Sequence, residues 1–229
     1  MNVVDERTIR ELFVAPVSAC IASPDMYDAA LFVEEEDYIR KAVPGRRKEY
    51  AAGRAAARKA LACAGGHVAP IVADADRSPR WPMGFSGSIT HCEGFCSAVV
   101  ARVEDAAALG FDAELSDPLG ADVHHLVCRT KDIEHFRRLP RVDGVDWPKL
   151  AFSAKESFYK CYYPTTRSLL GFRDVSVAFS IDAEAPARGT FSVVLEDKTK
   201  PMPRDATAFE GRWLAMGERV YTGVTLPFS

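Results

Sequence analysis

The order of apolar and polar positions divides this chain into a few helical stretches and a set of short strands. Residues 46–63 (RRKEYAAGRAAARKALAC) are the strongest helical segment, because alanine, arginine and lysine dominate and alanine has the highest helix propensity. Gly65-Gly66 marks its end. Residues 149–163 (KLAFSAKESFYKCYY) predict a second strong helix, stopped by Pro164. Residues 121–139 read as helical, with a loop from Pro140 to Pro148. Residues 26–42 carry a solvated helix face around Glu34-Glu35-Glu36-Asp37. The turn-rich stretch 73–87 leads into Ser88-Ile89-Thr90-His91, a strand end or the loop after it. Cys96–Val103 and Ala107–Leu115 predict two strands joined at Glu104-Asp105 as a hairpin. Further strands are expected at Val175–Ile181, Thr190–Leu195, Arg212–Met216 and Arg219–Thr225. Both halves run helix first and strands afterwards. That order predicts an α+β fold of two similar subdomains, residues 1–109 and 110–229, acting as one unit.

Composition narrows the function classes. In 229 residues, 29 Lys+Arg against 32 Asp+Glu leave a net charge of -3, which argues against a general nucleic-acid binder. A hydrophobic fraction of 48% supplies a core and excludes a mostly disordered chain. No apolar run approaches the ~20 residues of a membrane span. The opening Met1-Asn2-Val3-Val4-Asp5-Glu6 lacks the basic and apolar regions of a signal peptide. The six cysteines have no paired short spacing, so a cytoplasmic protein with reduced thiols is expected. A zinc site at His91, Cys92 and Cys96 is set aside: adjacent strand residues cannot easily bind one metal, and a fourth ligand is missing.

Charged residues then suggest chemistry. Asp112 and Glu114 lie two apart on a predicted strand and share a face, while Phe111 and Ala113 face the core. A divalent cation would relieve the repulsion between the two carboxylates, and Mg²⁺ prefers such hard oxygen ligands. Glu156 and Lys160 share a face of the second helix, with Lys155 and Tyr159 on the adjacent stripe. Taken alone, each pattern also fits an ordinary wet face. If Glu156 meets Asp112 and Glu114, three carboxylates and a lysine would suit phosphoryl chemistry. Arg47, Arg54 and Arg58 share a stripe of the first helix, with Arg46 near its start. Arginine forks can hold phosphate. No nucleophile elbow, Walker loop or dinucleotide fingerprint is present.

Four stretches in order carry a family resemblance: GRRKEYAAGRAAARKAL (45–61), WPMGFSGSITHCEGFCSAVVA (81–101), GFDAE (110–114) and FSAKESFYKCYYP (152–164). Together they resemble the 4′-phosphopantetheinyl transferases, Sfp-like group, of the bacterial enterobactin-synthetase type. The resemblance implies two α/β subdomains related by a pseudo-twofold, with coenzyme A in the cleft between them. It implies transfer of the phosphopantetheine arm from coenzyme A to a serine of an apo carrier protein, releasing adenosine 3′,5′-bisphosphate. Asp112, Glu114 and Glu156 would bind Mg²⁺. Arg46, Arg54, Thr90, His91, Lys155 and Lys160 would hold the coenzyme. Family alignment favours Arg46 and helix geometry favours Arg47, so both are carried forward. Where relatives often have a basic residue before the WP motif, this chain reads ADADRSPR, with Arg77 as the substitute. Asp112, Glu156 and Lys160 would be catalytic, with Glu156 (directly or through water) or Lys160 as base and Lys160 favoured as a charge stabiliser. Lys131, Phe136, Arg137 and Arg138 could dock an acidic carrier. A monomer is expected. The competing readings are another Mg²⁺-dependent phosphotransferase or phosphohydrolase, and a non-catalytic coenzyme A or carrier-binding module.

Overall fold

A computed structural model describes residues 3–203 and 209–228. Met1 and Asn2, part of the opening run read for a leader, lie outside the described residues. The helices are α1 Glu6–Arg10, α2 Val33–Ile39, α3 Pro44–Cys63, α4 His124–Val127, α5 Thr130–Phe136 and α6 Trp147–Thr166. The strands are β1 Ser18–Ile21, β2 Phe85–Cys92, β3 Phe95–Arg102, β4 Ala106–Leu115, β5 Val175–Ile181, β6 Arg188–Leu195, β7 Phe209–Met216 and β8 Arg219–Pro227. They form a three-stranded sheet, β1-β3-β2, and a five-stranded sheet, β4-β8-β7-β6-β5; every pairing within them is antiparallel.

The two halves obey one rule. One strand comes before a 20-residue helix in each, and a run of antiparallel strands follows that helix. In each, the first strand pairs with the last: β1 with β3, and β4 with β8. Helix α3 packs alanines Ala56, Ala57 and Ala60 with Leu61 against Ala98 and Val100 of β3. Helix α6 packs Leu150, Ala154, Phe158 and Cys161 onto the larger sheet, beside Trp213 and Val224. The fold is α+β, in two subdomains.

Several local expectations change. Strands β3 and β4 form no hairpin: the chain crosses from one sheet to the other at the Glu104-Asp105 turn, and β4 joins the second sheet from Ala106. β2 is an eight-residue strand paired along its whole length with β3. The 121–139 stretch breaks into α4 and α5. Pro164 does not end α6. It falls in the last turn, where the Thr165 and Thr166 hydroxyls bond Tyr162 O and Arg167 caps the helix in a left-handed conformation. The Gly65-Gly66 stop is a Schellman motif, with Gly66 N–H donating to Leu61 O and Gly65 N–H to Ala62 O. Glu35 is no solvated face residue. It is fully buried, and it accepts from Arg58 at 2.7 Å, Ile71 N at 2.8 Å and Phe32 N at 3.0 Å.

The halves meet along β2 and β4 through side chains instead of a backbone ladder. Ser86, Ser88 and Thr90 project from one face of β2, as the period of two requires. Ser86 Oγ donates to Ala106 O at 2.7 Å, Ser88 Oγ accepts from Phe111 N at 3.0 Å, and Thr90 Oγ1 accepts from Ala113 N at 3.1 Å. On its other side β4 lies close to α6. A Cβ at Gly110 would sit 1.7 Å from Ser157 O, so only glycine permits that approach.

Candidate active site

The close packing at Gly110 brings the α6 face carrying Glu156 and Lys160 over the β4 carboxylates. Lys160 Nζ donates to Asp112 Oδ1 at 2.7 Å and to Phe111 O at 3.1 Å. Thr90 Oγ1 donates to the same Oδ1 at 3.3 Å. Asp112 Oδ2 is buried with no hydrogen-bond partner. Glu114 is 3.7 Å from Lys149, and its carboxyl is pushed up to about 7, first by burial and next by the Asp112 charge. Burial also raises the Glu156 carboxyl; Lys160 opposes the shift and Asp112 adds to it.

The three carboxylates therefore feel one another's charge, yet no group of three His, Cys, Asp or Glu side chains among the described residues is arranged to hold one ion. The expected convergence on a single point is absent in this arrangement, and Lys160 supplies the positive charge at Asp112. The donor chemistry nevertheless fits a hard cation: carboxylate oxygens only, one of them buried and unpartnered, another in a carboxyl pushed up by burial and by the Asp112 charge.

Beside these groups, between α3, the loop 73–80 and β2 on one side and α6 on the other, is a cavity of about 300 Å³. Arg46, Arg54, Arg77, His91, Glu156, Tyr159 and Lys160 all line it. Arg46 Nη1 lies 2.6 Å from His91 Nε2 and donates to Glu49 at 3.1 Å. Burial, followed by the Arg46 charge, lowers the pKa of His91 below its ordinary value. Arg54 is buried, donates through Nε to Ile71 O at 2.7 Å, and lies 4.1 Å over the Tyr50 ring.

Other expected contacts lie elsewhere. Arg47 turns to α2, donating to Glu36 at 2.6 Å and Ile39 O at 3.2 Å, so Arg46 is the residue on the cavity. Arg58 closes on buried Glu35. Thr90 is 1% exposed and points its hydroxyl at β4, where it supports Asp112. Lys155 is 2% exposed inside the second half. Its ammonium donates to Asp132 at 2.8 Å and to three carbonyls, those of Val127, Phe172 and Val175. The expected coenzyme contact at Lys155 is therefore corrected: it lies on the inward stripe of α6. Phe136 belongs to the core and Lys131 is paired with Glu196, so of the expected docking residues Arg137 and Arg138 alone are exposed with no side-chain partner among the described residues. Sequence reasoning missed Tyr163, which lines the cavity, and the polar role of Ser88; the first sits beside Pro164, taken as a helix stop.

Comparison with known proteins decides the family. Residues 34–101 match the 4′-phosphopantetheinyl transferase N-terminal domain, and residues 108–206 match the 4′-phosphopantetheinyl transferase superfamily. The chain is 39% identical over 209 residues to 4′-phosphopantetheinyl transferase Svp of Streptomyces mobaraensis, covering 89% of this chain and 82% of that one. The chain belongs to the 4′-phosphopantetheinyl transferase superfamily. It is also 34% identical over 196 residues to 4′-phosphopantetheinyl transferase PptT of Mycobacterium tuberculosis, covering 84% and 85%. Enterobactin synthase component D of Salmonella typhi is 33% identical over 137 residues, covering 58% of this chain and 55% of that one. This phosphopantetheinyl transferase is thus an enzyme of the holo-acyl-carrier-protein synthase type. Among its described residues, no helix is long and apolar enough to cross a membrane.

Proposed function

We propose that this transferase moves the 4′-phosphopantetheine arm of coenzyme A onto a serine of an apo carrier protein, with Mg²⁺ held by Asp112, Glu114 and Glu156. The observation that carries the reading is the cavity in which Arg46, His91 and Lys160 stand beside a carboxylate set that keeps one buried oxygen without a partner. Arg46 offers a fork for a phosphate, and Lys160 an ammonium within reach of both the cavity and Asp112. When bound, the cation would neutralise charge developing on the phosphate oxygens.

The carrier serine oxygen forms a bond to the phosphorus next to the pantetheine arm. The bond from that phosphorus to the bridging oxygen breaks, and adenosine 3′,5′-bisphosphate leaves with the electron pair. Glu156 takes the serine proton. Its carboxylate is made more basic by burial, which suits it to that task better than an ordinary glutamate. Lys160 has the contacts of a donating ammonium, so it stabilises charge. Arg137 and Arg138 offer positive charge to an acidic carrier surface.

Intact-mass analysis tests the reading. Apo carriers incubated with coenzyme A, Mg²⁺ and this enzyme should gain one phosphopantetheine on one serine, and a chelator should suppress the gain. No mass gain on any apo carrier would overturn the transfer, and a chelator-insensitive gain would overturn the metal assignment.

A further inference from the structure

The loop ADADRSPR (73–80) is acidic in the segment before the WP motif, and it forms part of the cavity wall. A carboxylate facing a polyanion would repel it, but the Asp76 carboxylate is fully engaged. Its Oδ1 accepts from Ser78 N at 2.9 Å and Ser78 Oγ at 2.6 Å. Its Oδ2 accepts from Tyr163 OH at 2.7 Å and Arg167 Nη1 at 3.1 Å. The first pair closes the loop on itself, and the second ties it to the end of α6, in the other half of the molecule. Asp74 reinforces both links. It is paired with Arg80, its backbone bonds Arg77 N and Ser78 O, and its carboxylate lies 3.8 Å from Arg167.

Directly after these two anchored aspartates, Arg77 is held at φ 73, a left-handed conformation that few side-chain-bearing residues adopt. Such a conformation persists where its surroundings over-determine it. Arg77 lines the cavity, and among the described residues nothing pairs with its guanidinium. The two aspartates before it point their charge at α6, Arg167 and Arg80 instead.

We propose that Asp76 is a positioning residue: by tying the 73–80 loop to Tyr163 and Arg167, it presents Arg77 to the phosphates of coenzyme A. The proposal rests on the coenzyme reading above. Asp76 touches no reacting atom and acts through Arg77.

Calorimetric titration of coenzyme A, without any carrier, separates the possibilities. Asp76→Ala and Arg77→Ala should each weaken binding roughly tenfold, the size of one charge-assisted contact to phosphate. The double variant should bind no worse than Arg77→Ala alone, because two residues acting through one contact do not add. Tyr163→Phe, which keeps the helix and removes one tie, should give a smaller loss that also disappears in the Arg77→Ala background. In the transfer assay, KM for coenzyme A should rise in Asp76→Ala with kcat within about twofold, since only binding is altered. Additive losses, or unchanged affinity in Asp76→Ala, would overturn the positioning role. Failure of the unaltered enzyme to bind coenzyme A would instead overturn the substrate reading.

Discussion

Helix α6 carries two lysine–aspartate pairs, five residues apart, at almost the same distance: Lys155–Asp132 at 2.8 Å and Lys160–Asp112 at 2.7 Å. The first is sealed. Both side chains are 1% exposed, three carbonyls complete the ammonium's shell, and Asp132 also accepts from Arg129 N and Val177 N. Burial pulls the Lys155 pKa down, and the Asp132 hydrogen bond and charge oppose the shift. The second pair is left open. Lys160 is partly exposed on the cavity, and one Asp112 oxygen has no partner. A satisfied buried pair links α5, α6 and β5. An unsatisfied one keeps coordination capacity for something that arrives later. Length and chemistry are alike; the number of unfilled positions separates scaffold from site.

The sharpest way to break this comparison is to remove each lysine. Lys155→Ala leaves Asp132 charged and buried, so urea unfolding should show a loss of about 3–5 kcal/mol. Replacing both partners by apolar residues, Lys155→Met with Asp132→Leu, should recover most of it. If Lys155→Ala unfolds like the unaltered protein, the sealed pair is not a structural link. Lys160→Ala should lower the unfolding midpoint less than Lys155→Ala, because Lys160 is partly exposed, and cut kcat about 10²–10³-fold, as loss of a preorganised charge does. An active Lys160→Ala enzyme would remove the distinction altogether. Thr90→Val keeps shape but removes bonds to Asp112 and Ala113 N, and should cost about 1–3 kcal/mol in denaturant titrations, with a smaller activity loss than Lys160→Ala.

The smallest effect concerns pH. The folded pKa of His91 is lowered from 6.5, mainly by burial and then by Arg46. The unfolded chain therefore takes up this proton more readily. The stability contributed by keeping the ring neutral is present above about 6.5 and is lost as pH falls through the folded value. In Arg46→Ala, the His91 ring resonances should titrate at higher pH than in the unaltered protein. An unmoved midpoint would mean that the Arg46–His91 contact does not govern the ring.

What could be read from the sequence was local. Alanine-rich α3 and apolar-striped α6 announce themselves by propensity and period, and Phe111 and Ala113 are buried as alternation demands. The supposed hairpin failed because strand patterns report burial and not partners: β3 and β4 are both apolar and nearly adjacent, yet each completes a different sheet. The site shows the same limit. The pattern placed Glu156 and Lys160 on one face of α6, but could not say that the neighbouring stripe with Lys155 turns inward. Nor could it assign the arginines of α3, since partners such as Glu36 and Glu35 come from a different helix. The acidic 73–80 loop looked like a departure from a basic site, because Tyr163 and Arg167 are distant in sequence.

The pairing of first strand with last has a consequence for biosynthesis. β4 is an edge strand whose sole backbone partner is β8, the last strand of the described chain. As the polypeptide leaves the ribosome, the three-stranded sheet can close early, whereas the metal-binding carboxylates proposed on β4 wait for the final strand to emerge. Nascent chains stalled before Arg219 would then hold a finished amino-terminal layer and an unfinished catalytic one, at the stage when chaperones have most to protect.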